Sequence, residues 1–354
     1  MDSVRHIDGG DASFAKRVYR ADQSFGDHGN HEWPFPDVHC VADHDLYVPD
    51  CDRFSAEQKA EGTDPADSDY GQEAAGAGKG TGERQPMSQY TGLNHTYVIC
   101  AYRESAYLEE CILSLLSQAV PSHIIMATST PNEFIRSLSD RYGIELYVNE
   151  GESGIAGDWN FALSCVKTEI ATIAHQDDIY EPWYTQRILE GINRSRKPLI
   201  LFTDYGELRE GEKEDSNVLL NIKRFMLFPL RMRCLQRSRF VRRRILSFGS
   251  PISCPTVSYF LPNLTLPVFT AGYKSDLDWQ AWERISRSRG EFVFCPGICM
   301  YHRIHAESTT SEILRDNERM REDYEMFSKF WPGFLARILE HFYKRGEKSN
   351  EVGK

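Results

Sequence analysis

From Thr96 onward the chain alternates between two hydrophobic periods. Tyr97-Val98-Ile99-Cys100-Ala101 is a continuous apolar run of strand length, and Leu108, Ile112, Leu115 and Leu116 follow at the spacing of an amphipathic helix. The same alternation predicts strands at 123–127, 145–148, 170–174 and 199–203, with helices at 134–142, 158–166 and from near Pro182. Strand starts recur every 22 to 29 residues, the length of one strand plus one helix. Such a succession predicts an α/β fold: a mostly parallel sheet flanked by helices on both faces. Ligands of such sheets bind beyond the carboxyl ends of the strands. Asp177 and Asp178 directly follow the strand ending near Ala174 and therefore sit at that edge.

Residues 1–90 show neither period and end in a Gly-rich run, so they are expected to form a disordered leader. Order sets in so soon after Met87 that this residue is a candidate start of the native chain. Charge follows the same division. Of the net −11, residues 1–86 hold 18 acids against 8 bases, a balance of −10, which leaves −1 for the rest. The pI thus describes the leader and not the partners of the folded part. Nine scattered cysteines without a Cys-x-x-Cys pair fit a reduced, cytoplasmic setting. Cys295 and Cys299 read as strand or core thiols, with half a zinc site as the alternative. Neither a secretion signal nor a run of about 20 apolar residues is present.

Two adjacent carboxylates after an interior strand suit a hard divalent cation, Mg2+ or Mn2+, which prefers oxygen ligands and can bridge them to a diphosphate. The alternative is a polar loop in which an Asp caps the helix near Pro182. Three further segments bear on the choice. Tyr97 to Glu104 followed by Leu108 to Gln118 resembles the opening of glycosyltransferase family 2, and Gly154 to Leu163 is similar to the segment before its metal-binding strand end. Gln176-Asp177-Asp178 resembles the family's aspartate motif. The likeness is good over 95–205 and weaker over 270–310.

The resemblance implies a GT-A-type, Rossmann-like sheet and metal-dependent, inverting transfer of a sugar from a nucleotide-diphospho-sugar to a carbohydrate or lipid-linked carbohydrate acceptor, as in cell-surface polysaccharide or glycolipid synthesis. It implies Asp177, Asp178 and His305 as metal ligands. Ala101, Tyr102, Glu104, Thr128, Ser129, Asp158, Asn160, His175 and Gln176 would line the donor site. Asp278, in Ser275 to Arg284, takes the place of the catalytic base, which a sugar hydroxyl needs because it is a poor nucleophile until its proton is removed. Asp276, Trp279 and Arg303 would face diphosphate or acceptor. The chain departs from the family where Ala101 replaces a proline, where Ala127-Thr128-Ser129-Thr130 lacks the base-binding acids, and where His175 replaces the first acid of Asp-x-Asp. His175 is either a further ligand or a simple first-turn side chain.

The domain layout expected is a leader (1–90), a transferase domain (91–310) and a helical tail (311–354). The transferase domain would comprise a nucleotide-sugar half (91–205) and an acceptor half (206–310) carrying a basic insert (219–248). In that insert Lys223, Arg224, Arg231, Arg233, Arg237, Arg239 and Arg242 to Arg244 alternate with apolar residues and no acid. This composition suits an anionic membrane surface, hence a peripheral position on the inner face of the membrane. The alternative is a helical face whose charges pair within the protein. No recognition pattern points to nucleic acid. Two other readings stand beside the transferase: a non-catalytic sugar- or nucleotide-binding module, and a sugar nucleotidyltransferase, whose Gly-rich loop is missing at Ala101 to Ser105.

Overall fold

The computed structural model describes residues 89–151, 154–305 and 317–351. The expected leader, with Met87, lies outside the described residues apart from Gln89 and Tyr90. Tyr90 already belongs to the fold. Its backbone N–H donates to Asn193 Oδ1 at 2.8 Å, its carbonyl accepts from Asn193 Nδ2 at 3.0 Å, and its ring meets Phe260 edge-on.

Each element read from the two periods is present: β1 (His95–Ala101), α1 (Leu108–Leu116), β2 (His123–Thr128), α2 (Glu133–Tyr142), β3 (Glu145–Val148), α3 (Ile155–Cys165), β4 (Ile170–His175), α4 (Tyr184–Ile192) and β6 (Pro198–Arg209). A two-residue β5 (Ile179–Tyr180) lies between β4 and α4. Beyond β6 come β7 (Glu212–Glu214), α5 (Val218–Leu227), α6 (Arg233–Gln236), α7 (Arg239–Leu246), β8 (Val257–Phe260), α8 (Leu277–Ser286), β9 (Glu291–Ile304), α9 (Asn317–Ser328) and α10 (Gly333–Glu351).

One sheet runs β3-β2-β1-β4-β8-β6-β9-β5, with β7 added to β6. It is a mixed α/β sheet flanked by helices. β3, β2, β1 and β4 pair in parallel, as do β6 and β9. Between these blocks the short β8 runs antiparallel to both β4 and β6. Four residues between Pro255 and Pro262 show no readable period, which is why β8 did not emerge from the sequence. Period-two burial divides the core: Val98 and Ile173 face a cluster with Phe202 and Trp282, whereas Tyr97 and Ile99 face one with Ile112, Tyr180 and Tyr184. β9 can lie close on β6 because position 206 is glycine. A Cβ there would meet Tyr301 ring carbons at 2.5 and 2.7 Å.

Cys295 and Cys299 are buried thiols of β9, pushed up to about 12 by burial. Neither belongs to a metal-holding cluster among the described residues. Trp279, expected near the diphosphate or acceptor, is instead a core residue of α8. It is fully buried, its Nε1 donates to Leu246 O at 2.9 Å, and its ring packs edge-on against Phe327 of α9 at 5.0 Å. Trp279→Ala should therefore destabilise the fold by about 3–5 kcal/mol, read by denaturant unfolding. Phe327 and Tyr343, from α9 and α10, pack on one another beside it, so the helical tail rests on this domain.

The basic segment folds as α5, a 3-10 turn at Phe228–Arg231, α6 and α7. Several of its cations are used within the protein. Arg242 is fully buried and donates to the carbonyls of Ser286 at 2.8 Å, Gly290 at 2.6 Å and Ser288, capping the end of α8. Arg243 pairs with Glu283 at 2.5 Å. α5 turns Lys223 and Arg224 inward, to Tyr205 OH and Tyr205 O, both at 2.8 Å, while Val218 and Phe225 are 75% and 80% exposed. Internal pairing thus accounts for this part of the segment, and its outer surface is more apolar than its composition suggested. Among the described residues no helix is long and apolar enough to cross a membrane.

Candidate active site

β4 ends at His175, and a turn closed by Asp178 N–H to His175 O at 3.2 Å carries Asp177 and Asp178 into β5. β5 pairs antiparallel with β9 through Ile179–Tyr301 and Tyr180–Met300. That pairing lays the carboxyl end of β9 against the turn. Asp178 is fully buried: its Oδ1 accepts from His302 Nδ1 at 2.9 Å and from the Arg303 backbone N–H at 3.0 Å. Asp177 Oδ2 meets His305 Nε2 at 2.9 Å. Arg303 braces the turn, donating from Nε to Asp177 O at 2.9 Å and from Nη2 to Glu110 at 2.5 Å, with its guanidinium over the Tyr107 ring at 4.3 Å. With these bonds made, it holds the carboxylates in place more than it faces an acceptor.

His175 stacks on Trp159 with ring centroids 5.1 Å apart, and its Nδ1 is 3.8 Å from Asp178 Oδ2. One ligand atom each from His175, Asp177 and Asp178 lies within 4.8 Å of the others. Asp178 Oδ2 and His175 Nε2 are buried with no hydrogen-bond partner. Leaving such atoms unsatisfied is costly unless a further group completes them, and a carboxylate oxygen beside an imidazole is a donor set that fits a divalent cation. The protonation states agree. Burial is the chief cause that lowers the His175 value, against the pull of Asp178 and Asp177, and so keeps the ring neutral, the form that ligates a metal. Burial alone would raise Asp177, but His302, His175 and the bond from His305 hold it below its ordinary value. For His302 burial acts downward, yet Asp178 overcomes it and lifts the ring to about 9.

Asp278 stands in the first turn of α8, half-buried. Burial pushes its carboxyl up to about 6, against the Trp279 N–H at 2.5 Å and the charges of Lys223 and Arg319. Lys223 is within electrostatic reach of both Asp278 and His302. Asp276 lies elsewhere. It is buried toward α9, where burial and the neighbouring Asp323 and Asp278 push it well above the carboxylate range, and its own N–H donates to Glu322 at 3.0 Å. Glu322 also accepts from the N–H groups of Lys274 and Ser275, so this acidic seam fastens the loop before α8 to the tail and does not face an acceptor.

The donor-site candidates divide likewise. Ala101 and Thr128 are buried at the carboxyl ends of β1 and β2, Tyr102 and Glu104 are exposed beyond β1, and Thr128 Oγ1 accepts from Thr130 N–H at 3.0 Å. Ser129 Oγ donates to Asp158 Oδ2 at 2.9 Å and Asn149 Nδ2 to Asp158 Oδ1 at 2.8 Å, a polar group at the ends of β2 and β3. Gln176 spends its amide on the Tyr102 backbone at 2.9 and 3.0 Å, joining the β1 and β4 loops. Asn160 is committed in the same way to the Phe269 backbone, at 2.8 and 3.0 Å. Both amides position the loops around the site. Sequence reasoning missed His302, Glu110, Trp159, Asn149 and Lys223. His302 lies in the 270–310 stretch of weaker likeness, and its signal was its adjacency to Arg303.

The profile described as "Glycosyl transferase family 2" matches residues 96–247. Comparison with curated proteins finds no match. Similar solved structures include the mannosyltransferase PcManGT from Pyrobaculum calidifontis in complex with GDP-Man and Mn2+ (13% identity, 73% of this chain and 74% of that one, TM-score 0.49). S. aureus TarS 1–349 in complex with UDP-GlcNAc gives 14% identity, 70% of each chain and a TM-score of 0.47. Glucosyl-3-phosphoglycerate synthase from Mycobacterium tuberculosis, in complex with Mn2+, UDP and phosphoglyceric acid, gives 13% identity, 60% of this chain and 72% of that one, and a TM-score of 0.42. The profile match spans β1 through α7 and includes the Asp177-Asp178 turn: residues 96–247 are similar to glycosyl transferase family 2, a match that supports glycosyltransferase activity for the chain.

Proposed function

We propose that the chain transfers a glycosyl group from a nucleotide-diphospho-sugar to an acceptor hydroxyl with inversion at the anomeric carbon. The observation that carries this reading is the pairing of two acidic stations of different character: the Asp177-Asp178-His175 group, with its orphaned buried atoms, and Asp278, a half-buried carboxyl raised to about 6. We assign Asp177, Asp178 and His175 as the groups that would hold Mg2+ or Mn2+, with His305 orienting Asp177 through its 2.9 Å bond. Such an ion, when bound, supplies positive charge to a leaving diphosphate. Asp278 takes the proton of the acceptor hydroxyl, and a value near 6 leaves it ionised yet basic at neutral pH. One base on the acceptor side favours direct displacement, hence inversion. Asp158, with Ser129 and Asn149, offers a carboxylate to the nucleoside where the family's usual acids are missing. Tyr102 and Glu104 border the same edge.

The acceptor we propose is a carbohydrate, free or lipid-linked, in cell-surface polysaccharide or glycolipid synthesis. The exposed Phe225, Phe228, Met232 and Phe240 support a peripheral membrane position. A thermal-shift screen of nucleoside diphosphates with Mn2+ tests the donor half. A ligand at about 100 times its Kd should stabilise the fold by about 2.7 kcal/mol, for one base above others and only with the metal. Equal, metal-independent shifts for every nucleotide would count against it.

A further inference from the structure

The cations of the basic segment that are not turned inward have a different destination. Arg237, after α6, and Arg239, opening α7, converge with Arg196 and Lys197, before β6, and with Arg289, before β9. Together they line a concavity of about 230 Å3 with Gly290 and Glu291. Five cations thus surround one carboxylate. That carboxylate is already engaged: Glu291 is buried, accepts from Ser195 Oγ and from the Arg196 N–H at 3.4 Å, and lies 3.6 Å from Arg237 Nε. The side chains of Arg196, Lys197 and Arg289 form no ion pair among the described residues. The nearby carbonyls of Ser286, Ser288 and Gly290 accept from the buried Arg242.

This concavity is remote from the Asp177-Asp178 turn. It sits where β6 and β9 begin, whereas Asp177, His302 and His305 lie where β9 ends. From Glu291 to His302 the strand rise alone separates them by roughly 30 Å. We propose that it is a second binding site, for a phosphate-bearing polyanion. Guanidinium groups grip phosphate oxygens in bidentate fashion, and three segments supply them from different sides. The volume suits a diphosphate-sized group, smaller than most ligand pockets. Free diphosphate compounds and anionic lipid headgroups carry the same chemistry, and the experiment separates them.

The full chain, in EDTA so that metal-bound diphosphate at Asp177 does not contribute, is titrated with pyrophosphate by calorimetry. It is also co-sedimented with vesicles of phosphatidylcholine alone or mixed with phosphatidylglycerol. Two variants are compared with the native protein: Arg196→Glu, Lys197→Glu and Arg289→Glu combined, and the same three positions changed to Gln. All three residues are exposed, so unchanged Tm values are expected. A loss of about tenfold or more in pyrophosphate affinity in both variants supports the site with a soluble ligand. Loss confined to phosphatidylglycerol vesicles supports it with lipid headgroups. Variants that bind both probes as the native chain does overturn the proposal.

Discussion

Asp278→Asn is expected to lower kcat/KM by about 10²–10⁴-fold, the usual contribution of a positioned general base, without weakening the fold. Its native value of about 6 lies above the ordinary carboxylate value of 3.8, and burial is the main cause. Only the ionised form accepts a proton. The rate should therefore be level above pH 6 and fall about tenfold per unit below it. Lys223 favours the ionised form, so Lys223→Gln should move the midpoint upward. The stability effect follows from linkage. A carboxyl raised on folding binds more protons folded than unfolded between those two values, so its burial costs stability as pH rises through that window. At neutral pH the amide removes this cost, and Tm should stay level or rise. A pH–rate profile paired with thermal unfolding checks both parts, and a variant that is inactive because it is unfolded would not support the assignment.

Asp177→Asn should cost on the order of 10²–10³-fold in kcat/KM and abolish saturable Mn2+ binding. Its stability sign is the opposite of Asp278. The Asp177 carboxyl is held below 3.8 despite burial, through His302, His175 and the bond from His305. A depressed carboxyl contributes stability that is present above its unfolded value and lost as pH falls through the folded one. In EDTA at neutral pH the Asn variant should therefore melt below the native chain. Calorimetric Mn2+ titration and unfolding in EDTA measure the two effects separately.

The half of the fold from β1 to β6 was legible because each element there carries its own period: Val98 and Ile99 face opposite clusters as a strand requires, and Leu108, Ile112 and Leu115 share one helix face. Position followed from topology: Asp177 and Asp178 lie just beyond the carboxyl end of β4. What escaped reading depends on contacts between distant segments. His302 reaches Asp178 across 124 residues, and only the β5–β9 pairing brings them together. The resemblance made Trp279 and Asp276 site candidates beside Asp278, but Trp279 turns to the core, and Asp276, the residue before α8, is buried toward α9. Gln176 and Asn160 show a similar limit. An amide beside a site carries the same letter whether it holds ligand or loop, and only the partners decide.

The basic segment illustrates a further limit. A hydrophobic period reveals that a helix has two unlike faces, but not which face turns inward. In α5 the inward face holds both kinds: Leu220 and Leu227 are buried and Lys223 and Arg224 reach Tyr205, while Val218, Ile222 and Phe225 point outward. Composition left those two cations either to a membrane surface or to pairing within the protein. The structure gives them to Tyr205 and, in the case of Lys223, to the neighbourhood of Asp278.

The central claim, metal-dependent glycosyl transfer from a nucleotide donor, is tested most directly by phosphorus NMR of the chain incubated with a panel of nucleotide-diphospho-sugars, with Mn2+ or with EDTA. The account predicts that one donor releases nucleoside diphosphate, only with the metal, and that Asp177→Asn abolishes the release. Release of pyrophosphate in place of nucleoside diphosphate, or undiminished release in EDTA and by Asp177→Asn, would contradict it.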